Sequence, residues 1–397
     1  MSTFKTLDNL DVAGKRILIR VDLNVPMKDG KVTDSTRIDR TVPTLKELSE
    51  KGAKVIVMCH FGRPKGQMVP EMSVAAVAGP LGDALGKPVA FAADCVGEAA
   101  QSVVDGLRDG DIALLENLRF HPEEEKNDAG FAAQLAALGD IYVSEAFSCS
   151  HRAHASTEAI AKILPAYAGR LMQAELEALS GALENPARPV AALVGGAKVS
   201  TKLDVLTNLV AKVDKLIIGG GMANTFLNAK GVDIGNSLCE HDLADTARDI
   251  LERAEKAGCE ILLPKDAVVA KEFKEGADSQ VMALDAVPSD GMILDIGPAS
   301  IDFLVGKLEE CKTIVWNGPM GAFEIAPFDK GTNALAQAAA RLTKEGKLVS
   351  VAGGGDTVAA LAHAGAEADV SYISTAGGAF LEWLEGKELP GVAVLKA

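Results

Sequence analysis

The amino-acid sequence predicts an α/β protein made of two domains, each built on a parallel β-sheet, with a helix joining them. The first observation is length, because 397 residues are more than one hydrophobic core organises, and 48% of them are apolar. The second is that short apolar runs recur and most are continuous, as in strands buried on both faces. The third is that helical stretches separate several of these runs, which predicts parallel sheets covered by helices.

The individual elements follow from this alternation. The predicted strands are the apolar runs 17–21, 55–59, 112–115, 141–143, 190–194, 216–218, 261–263, 313–316 and 348–351. The helical stretches between them include 40–51, 131–138, 246–257 and 333–342. Pro165, Pro186 and Pro189 flank a polar, alanine-rich run at 168–184, and such flanks suit a helix that bridges two domains. We therefore predict a first domain at 1–167, a connecting helix at 168–185 and a second domain at 186–378.

The composition narrows the class of protein. A net charge of −15 disfavours broad binding to nucleic acid or to membrane surfaces. No apolar run reaches membrane-spanning length, and the beginning of the chain, MSTFKTLDNLDVAGKR, contains no signal-peptide apolar stretch. The six cysteines lie far apart without a C-x-x-C pair, which favours neither a disulfide framework nor a zinc site. We expect a cytoplasmic protein.

Arginine is concentrated in the first half of the chain, where nine of the thirteen arginines precede residue 171. Basic residues follow four successive predicted strands there, within the segments RVDLNVP, HFGRPKG, LENLRFHPEE and SEAFSCSHRAHAS. Each residue alone is explained by a structural ion pair. Four strand ends together predict an anion site, because arginine grips phosphate and carboxylate with two parallel hydrogen bonds. Asp22 and Asn24, which point to one side, are suited to hold a hydroxyl between such anions.

Glycine turns follow three predicted strands of the second half, in VGGAKVS, IIGGGMANTF and VAGGGDTV. Glycine lets the backbone approach a ligand, and a following helix start presents free N–H groups to phosphate. Because ligands bind at the carboxyl ends of strands in open α/β sheets, the three turns are expected to line one cleft. Lys198 and Lys202 are four residues apart and share one face if a helix begins there, which suits a chain of phosphates.

In two further segments the polar residues have both a functional explanation and a simpler structural one. In VAGGGDT, Asp356 offers a carboxylate beside the phosphate turn, where Mg²⁺ needs one, although an Asp/Thr helix cap is the simpler explanation. In WNGPMGAFE, Asn317 and Pro319 form a turn after a strand, and Glu324 is placed to accept hydrogen bonds from a ribose; a plain N-G-P turn is the alternative.

These segments, in this order, closely resemble the phosphoglycerate kinase family. The segments that carry the resemblance are RVDLNVP, HFGRPKG, LENLRF, HRAHAS, GGAKVSTK, GGGMANTF, WNGPMGAFE and GGGDT. The resemblance covers essentially the whole chain. The resemblance implies reversible phosphoryl transfer from 1,3-bisphosphoglycerate to Mg-ADP, giving 3-phosphoglycerate and ATP. It also implies a monomer of two Rossmann-like domains, of which the first binds the glycerate and the second binds the nucleotide, with a hinge-bending cleft between them. Residues 379–397 would pack back on the first domain.

The resemblance also implies roles for individual residues. The glycerate site would be formed by Asp22, Asn24, Arg37, His60, Arg63, Arg119 and Arg152. The nucleotide site would be formed by Gly195, Lys198, Lys202, Gly219, Gly220, Asn317, Pro319, Glu324, Gly353, Gly354, Gly355, Asp356 and Thr357, with Asp356 positioning Mg²⁺. Arg37 and Lys198 would neutralise the transferring phosphoryl group, and backbone N–H groups at Gly354 and Gly377 would assist. No general base is needed, because the acceptor is already a carboxylate or a phosphate.

Two positions depart from the family pattern, and two other functions stay open. Glu145 stands where aspartate is usual, and Ala376 stands in a usual run of three glycines, where it restricts positive φ. A nicotinamide-dependent dehydrogenase would share the fold, but no strict G-x-G-x-x-G occurs. No Walker-type P-loop occurs either. A non-catalytic nucleotide-binding protein is the other alternative, and the basic residues in both domains argue against it.

Overall fold

The computed structural model describes residues 4–396. Residues 1–3 and 397, which the predicted first domain and C-terminal segment include, lie outside the described residues. The chain divides into two compact units: unit 1 extends to Leu176 and takes in the chain again from Glu388, and unit 2 runs from Glu177 to Lys387. The division falls within the helix Arg170–Leu183, which the sequence predicts as the connecting helix. No helix of the described part is both long enough and apolar enough to cross a membrane.

Unit 1 is built on a six-stranded parallel sheet. In chain order its strands and a small hairpin are β1 (Arg16–Arg20), β2 (Met27–Lys28), β3 (Lys31–Val32), β4 (Lys54–Met58), β5 (Val89–Ala92), β6 (Ile112–Leu115), β7 (Ile141–Ser144) and β8 (Ala166–Ala168). The sheet order is β5-β6-β4-β1-β7-β8, and β2 pairs only with β3. The central strands are almost wholly buried, because helices cover both faces of a parallel sheet.

The helices of unit 1 connect these strands. They are α1 (Thr36–Glu50), α2 (Ala75–Leu85), α3 (Gly97–Asp105), α4 (Pro122–Glu125), α5 (Ala129–Ala136) and α6 (Arg170–Leu183), and the short helix Pro390–Ala393 also belongs to this unit. Helix α1 begins four residues before the predicted start, because Asp34 accepts hydrogen bonds from the backbone N and side-chain Oγ1 of Thr36. The earlier start places Arg37 in the first turn of α1.

Unit 2 contains a second six-stranded parallel sheet and a small antiparallel sheet. Its strands are β9 (Val190–Val194), β10 (Lys215–Ile218), β11 (Glu260–Leu262), β12 (Asp266–Ala270), β13 (Ser279–Ala283), β14 (Met292–Ile296), β15 (Thr313–Asn317), β16 (Val349–Gly353) and β17 (Tyr372–Ser374). Its helices are α7 (Leu203–Leu209), α8 (Gly220–Ala229), α9 (Ala244–Ala257), α10 (Pro298–Glu309), α11 (Lys330–Lys344), α12 (Gly355–His363) and α13 (Gly378–Leu384). The parallel order is β11-β10-β9-β15-β16-β17, and β12 lies between β13 and β14.

The predicted α/β class and parallel sheets are confirmed, and the sequence missed two kinds of strand. All pairings in both large sheets are parallel. The strands β5, β8 and β17 escaped prediction because they are short and lie at sheet edges, where side chains are only partly buried. The strands of the antiparallel sheet also escaped it. Strand β13 is largely exposed, and the short apolar run of β12 does not by itself distinguish a strand from a buried helical segment.

Each large sheet has one point where the strand order reverses direction. In unit 1 the chain extends the sheet from β1 through β4 to one side and continues with β7 on the other. In unit 2 it extends from β9 through β10 and β11 to one side and continues with β15 on the other. Ligands of open α/β sheets bind outside the carboxyl ends of the strands at such switch points. We therefore expect ligand-binding residues just after β1 and β7 in unit 1, and just after β9 and β15 in unit 2.

Candidate functional site

The buried Arg20 ends β1 at the switch point of unit 1. Its side chain is only 1% exposed, and its Nε donates a hydrogen bond of 2.9 Å to Oγ of Ser156. Its Nη2 lies 3.1 Å from Nδ1 of His60, which follows β4. A guanidinium has no acceptor, so Nδ1 of His60 accepts this bond and the imidazole proton resides on Nε2. His60 is thereby held as a neutral ring with one N–H donor to offer.

The pKa values of two histidines show how closely basic groups gather here. Burial is the main cause that holds the pKa of His60 well below 6.5, and the positive charges of three arginines add to it. Burial and three arginines likewise lower the pKa of His154 to about 4. The arginines whose charges act on one or both rings are Arg20, Arg37, Arg119 and Arg152. The structure therefore brings Arg37, His60, Arg119 and Arg152 of the predicted set together.

Arg37 is held over the end of β1 by a carboxylate and a carbonyl. Its Nη1 donates to both carboxylate oxygens of Asp22, at 2.9 and 3.0 Å, and to the carbonyl of Asn24 at 3.0 Å. Ser148, which follows β7, donates to Asp22 Oδ2 at 2.6 Å. Asn24 Oδ1 accepts from the backbone N–H of Gly62 at 2.9 Å. These bonds leave the Arg37 side chain 40% exposed, so the guanidinium remains accessible to a ligand.

Arg119 is a buried cation that the protein satisfies only in part. Its Nη1 donates to the Gly62 carbonyl at 2.9 Å, and its Nε lies 3.4 Å from Glu125 Oε1 without forming a hydrogen bond. Burial lowers the pKa of Arg119 below its usual value. Arg63 and Arg152 are exposed, and no hydrogen bond or ion pair engages either guanidinium within the described part of the chain. Such guanidiniums are ready to bind an anion.

These basic groups follow four strands that lie side by side. Arg20 ends β1, and His60, Arg119 and Arg152 follow β4, β6 and β7. The sheet order places those strands as β6-β4-β1-β7. Three carboxylates pair with the arginines of the cluster or raise their pKa values, those of Asp22, Glu124 and Glu125. Five arginines, counting Arg37 and Arg63, thus face three carboxylates. The carboxyl end of this sheet carries excess positive charge in an acidic protein.

The switch point of unit 2 is a close backbone contact between two glycine turns. A Cβ atom on Gly195, after β9, would lie 1.8 Å from the carbonyl oxygen of Pro319, after β15. Gly318 has a φ of +105°, and a Cβ there would lie 2.2 Å from the Gly195 carbonyl. Only glycine fits these positions. Gly219 and Gly220 follow the neighbouring strand β10. Each of the four adjacent strands β10-β9-β15-β16 therefore ends in glycine or asparagine or is directly followed by glycine.

Lys202 bridges the ends of β9 and β15. Its Nζ donates to the Gly195 carbonyl at 2.8 Å, to the Asn317 carbonyl at 3.2 Å and to Asn317 Oδ1 at 2.5 Å. Burial lowers the pKa of this amine to about 8. Asn317 in turn donates from Nδ2 to the carbonyl of Gly353 at the end of β16, at 2.7 Å. All three N–H donors of Lys202 are thus directed at the protein.

The expectation that Lys198 and Lys202 share one helical face is wrong. Lys198 is extended and exposed, a 3₁₀ turn covers Val199–Thr201, and helix α7 begins only at Leu203. The reason is that Lys202 turns back to the carbonyls of the glycine turn, which a continuous helix would prevent. Lys198 is the accessible cation of the two, and Lys202 shapes the turn.

The turn after β16 has the predicted form, with one correction. Gly354, at φ +97°, is the residue before helix α12, and Thr357 accepts a hydrogen bond of 2.7 Å from the backbone N–H of Gly318. Asp356 is the second residue of α12 and therefore does not cap it. Its carboxylate is exposed and makes no hydrogen bond or ion pair within residues 4–396. Such a carboxylate fits a Mg²⁺ ion, which takes oxygen ligands.

A largely apolar cavity of about 430 Å³ opens beside these turns, within unit 2. Glycine and proline backbone of the turns forms one side, and apolar side chains of α8 and β14 form much of the rest. The polar side chains that line it include Asn224, Asp295, Glu324 and Asp356. Cavities of this size, apolar with a few convergent polar groups, are typical of sites for small ligands and cofactors. A flat base with a sugar and phosphates suits this lining.

The loop before α13 keeps its glycine where glycine is needed. Gly377 has a φ of +45° and precedes the helix, whereas Ala376 is buried and is not among the residues with positive φ. The expected restriction from Ala376 is therefore absent, because the left-handed conformation falls on its neighbour.

The sequence analysis assigns no role to two residues of the site. Arg20 begins the segment RVDLNVP, one of the four basic strand ends, but it is not among the predicted glycerate-binding residues. Asp295, buried in β14, accepts backbone N–H bonds from Ile296 and Gly331, each at 2.8 Å, and burial raises its pKa to about 7. No pattern in the sequence marks Asp295, because its strand belongs to the unpredicted antiparallel sheet.

Fold and site together define a two-unit α/β protein, with an anion-binding cluster at the switch point of one sheet and a phosphate-type glycine cleft at that of the other. A model of the phosphoglycerate kinase family matches residues 7–387. The chain is 64% identical to the phosphoglycerate kinase of Methylorubrum extorquens strain PA1 over the full length of both, and 64% identical to that of Rhizobium meliloti over 99% of both.

Solved structures agree with the sequence comparison. The phosphoglycerate kinase of Coxiella burnetii superposes with a TM-score of 0.92 at 45% identity, covering 99% of this chain and 98% of the other. That of Pyrococcus horikoshii OT3 gives a TM-score of 0.79 at 32% identity, covering 98% of both chains. The chain belongs to the phosphoglycerate kinase family, and it is an enzyme that transfers a phosphoryl group.

Proposed function

We propose that the chain catalyses reversible transfer of the acyl phosphoryl group of 1,3-bisphosphoglycerate to Mg-ADP, giving 3-phosphoglycerate and ATP, through the residues described above. One observation carries the assignment of residues. In each large sheet, the residues at the carboxyl ends of four adjacent strands suit one of the two substrates. The strands of unit 1 end in arginine and histidine, which suit the phosphate and carboxylate of a glycerate. The strands of unit 2 end in glycine turns beside an apolar cavity, which suits a nucleotide.

Unit 1 binds the glycerate in this proposal. Arg63, Arg119 and Arg152 hold its phosphate by charge-assisted hydrogen bonds, and burial of Arg119 strengthens its contribution. His60 donates from Nε2 to an anionic oxygen, since Arg20 occupies its other nitrogen. Asp22 and Asn24 hold the hydroxyl between the two acidic ends, and the carboxylate of Asp22 also keeps Arg37 in place.

Unit 2 binds the nucleotide. The base lies in the apolar cavity, and Glu324 accepts hydrogen bonds from the ribose hydroxyls. The phosphates lie against the glycine turns and the first N–H groups of α12, from Gly354 to Thr357. Asp356 is the protein residue that holds Mg²⁺ beside them. When bound, Mg²⁺ neutralises phosphate charge.

The reaction makes one P–O bond and breaks another. An oxygen of the ADP β-phosphate attacks the acyl phosphorus, and the bond from phosphorus to the carboxyl oxygen breaks, leaving the carboxylate of 3-phosphoglycerate. The attacking phosphate oxygen is already anionic and has no proton to lose, so the protein supplies position and positive charge rather than a general base. Arg37 and Lys198 carry that charge to the moving phosphoryl group, and backbone N–H groups at Gly354 and Gly377 add donors.

A monomeric state and a cytoplasmic location complete the proposal, and the net charge of −15 disfavours nucleic acid as a partner. The alternative of a non-catalytic nucleotide-binding protein predicts ADP binding without turnover. A coupled assay that follows ATP formation from ADP, Mg²⁺ and 1,3-bisphosphoglycerate separates the two. The residue roles are tested by measuring the dissociation constants of Mg-ADP and 3-phosphoglycerate separately in each variant. Variants in unit 1 should weaken 3-phosphoglycerate alone, and equal loss of both ligands would contradict the assignment.

A further inference from the structure

Three side chains of the kind that bind transition metals meet in unit 1 outside the site described above. They are Asp94 and Cys95, which follow β5, and His121, which follows the 3₁₀ turn Leu118–Phe120 after β6. One ligating atom from each residue lies within 4.8 Å of the other two. Neither the basic cluster nor the proposed reaction uses any of the three side chains.

The carboxylate and the imidazole already face each other at bonding distance. Nε2 of His121 lies 2.7 Å from Oδ1 of Asp94. The thiol of Cys95 lies on the interior side of this pair. Cys95 is fully buried, whereas the side chains of Asp94 and His121 are partly exposed. A cation placed between them would thus be reached from solvent on one side and held by sulfur on the other.

The surrounding structure fixes the orientation of these groups before any ion binds. Asp94 Oδ1 accepts hydrogen bonds from the backbone N–H groups of Cys95 at 2.6 Å and Val96 at 3.4 Å. The His121 ring stacks on Phe131 with centroids 5.0 Å apart and an interplanar angle of 28°. Strands β5 and β6 are paired neighbours, so their carboxyl ends bring the two turns together. Ligands held in this way lose little freedom on binding a metal.

The donor set selects the class of ion. One sulfur, one nitrogen and one oxygen suit Zn²⁺ and similar borderline divalent ions, which take four ligands in a tetrahedron and leave a fourth position to water. Mg²⁺ prefers oxygen ligands alone in an octahedron, so this triangle does not suit the metal of the phosphoryl-transfer reaction. We propose that Asp94, Cys95 and His121 form a binding site for one Zn²⁺-class ion, which ties the turn after β5 to the turn after β6.

Binding requires a change at each of the three ligands. The ion replaces the Cys95 thiol proton, which passes to solvent, and it replaces the contact between His121 Nε2 and the Asp94 carboxylate. The His121 ring then carries its proton on Nδ1, because Nε2 donates its lone pair to the metal. The sequence analysis did not predict a zinc site, because the ligands come from separate turns rather than from a C-x-x-C pair.

The test uses the full chain after chelator treatment, with Zn²⁺ or Co²⁺ as the probe and without nucleotide or glycerate. Equilibrium dialysis with Zn²⁺ should give one bound ion per chain in excess Mg²⁺, and the unfolding midpoint of unit 1 should rise by about 2–4 °C or more. Co²⁺ at the same site should show a sulfur-to-metal charge-transfer band and tetrahedral ligand-field bands. Cys95→Ser and His121→Gln should each weaken Zn²⁺ binding by at least about 100-fold and abolish the charge-transfer band.

The chain contains a matched control. Cys239 lies 3.7 Å from Nδ1 of His241 in unit 2, so it is also a cysteine beside a histidine, but it is outside the proposed site. The Cys239→Ser variant should bind Zn²⁺ and Co²⁺ as the wild type does. If the charge-transfer band is lost in Cys239→Ser and kept in Cys95→Ser, the proposal is wrong. It is also wrong if the folded wild type binds no Zn²⁺, or if His121→Gln, which alters a partly exposed side chain, binds with unchanged affinity.

Discussion

Nη2 of Arg20 lies 3.1 Å from Nδ1 of His60, beneath the basic cluster of unit 1. This contact decides what His60 offers a ligand. A guanidinium only donates, so the imidazole proton is on Nε2, and the ring is a neutral donor rather than a second positive charge. Burial and the charges of Arg20, Arg119 and Arg37 oppose protonation of the ring.

We therefore expect nitrogen NMR of histidine-labelled protein to show His60 as the neutral Nε2–H tautomer, with a pKa below 6.5. In Arg20→Met the pKa should rise toward 6.5, because the nearest positive charge is removed. The folded pKa lies below the unfolded one, so this histidine lowers the free energy of unfolding as pH falls below 6.5. A wild-type His60 that protonates above pH 6.5 would contradict the assignment.

Arg37 is expected to act on the transferring phosphoryl group. Arg37→Ala should reduce kcat by about 30- to 1,000-fold, since one cation beside developing charge contributes about 2–4 kcal/mol. The matched control is Arg108→Ala, because Arg108 is an exposed arginine of unit 1 paired with Asp111 and outside the cluster. Its turnover should equal that of the wild type. Steady-state kinetics in both directions provides the measurement, and unchanged kcat in Arg37→Ala removes Arg37 from this role.

Asp356 is expected to hold the metal of Mg-ADP. Asp356→Asn should raise the dissociation constant of Mg-ADP by about 10-fold, equivalent to ~1.4 kcal/mol, and leave that of 3-phosphoglycerate within about twofold. Isothermal titration of each ligand measures the two constants. Asp302→Asn, an exposed aspartate on α10, is the control and should change neither constant. An equal loss for both ligands in Asp356→Asn would argue against a metal role.

The contact between Gly195 and Pro319 is expected to tolerate no side chain. Gly195→Ala should destabilise unit 2 by more than about 3 kcal/mol, because its Cβ would lie 1.8 Å from the Pro319 carbonyl oxygen. The control is Gly306→Ala, since Gly306 lies inside α10 with open space around it. That variant should gain about 0.5–1 kcal/mol through helix propensity. Denaturant unfolding monitored in unit 2 distinguishes them, and a fully stable Gly195→Ala variant would refute the close approach.

Glu145 shows how the chain accommodates its departure from the family pattern. Its carboxylate accepts hydrogen bonds from Thr44 and from the first backbone N–H groups of α6, at Leu171 and Met172. A Cβ on Gly169 would lie 1.9 Å from Glu145 Oε2. The longer side chain therefore occupies the space that glycine leaves open.

From this packing we expect Glu145→Asp to cost about 1–3 kcal/mol, because the shorter carboxylate leaves backbone donors of α6 unpaired. Gly169→Ala should cost a similar amount through overpacking. In the double variant the shorter acid should relieve the clash, so the combined loss should be smaller than the sum of the two. A double-mutant cycle from equilibrium unfolding measures the coupling, and strict additivity would show that the two residues do not compete for space.

The sequence predicted the framework of central strands well, because there local chemistry is decisive. The continuous apolar runs identified the central strands, because a strand buried on both faces has to be apolar throughout. The segments that follow those strands identified Arg37, Arg119 and Asp356, because the carboxyl ends of parallel strands meet at one edge. Edge strands such as β17 were missed, since partial burial leaves no continuous pattern.

The sequence by itself determined the α/β class, the two sheets, the glycine turns and the family. Tertiary structure alone decided which groups each side chain faces. Lys202 turned inward to three carbonyl-type oxygens while Lys198 stayed exposed, although the two lysines are indistinguishable by type. The tautomer of His60 depends on Arg20, and the meeting of Asp94 and Cys95 with His121 depends on the pairing of β5 with β6. The physical reason is that strand order and side-chain burial depend on contacts between residues far apart in the chain, which no local pattern records.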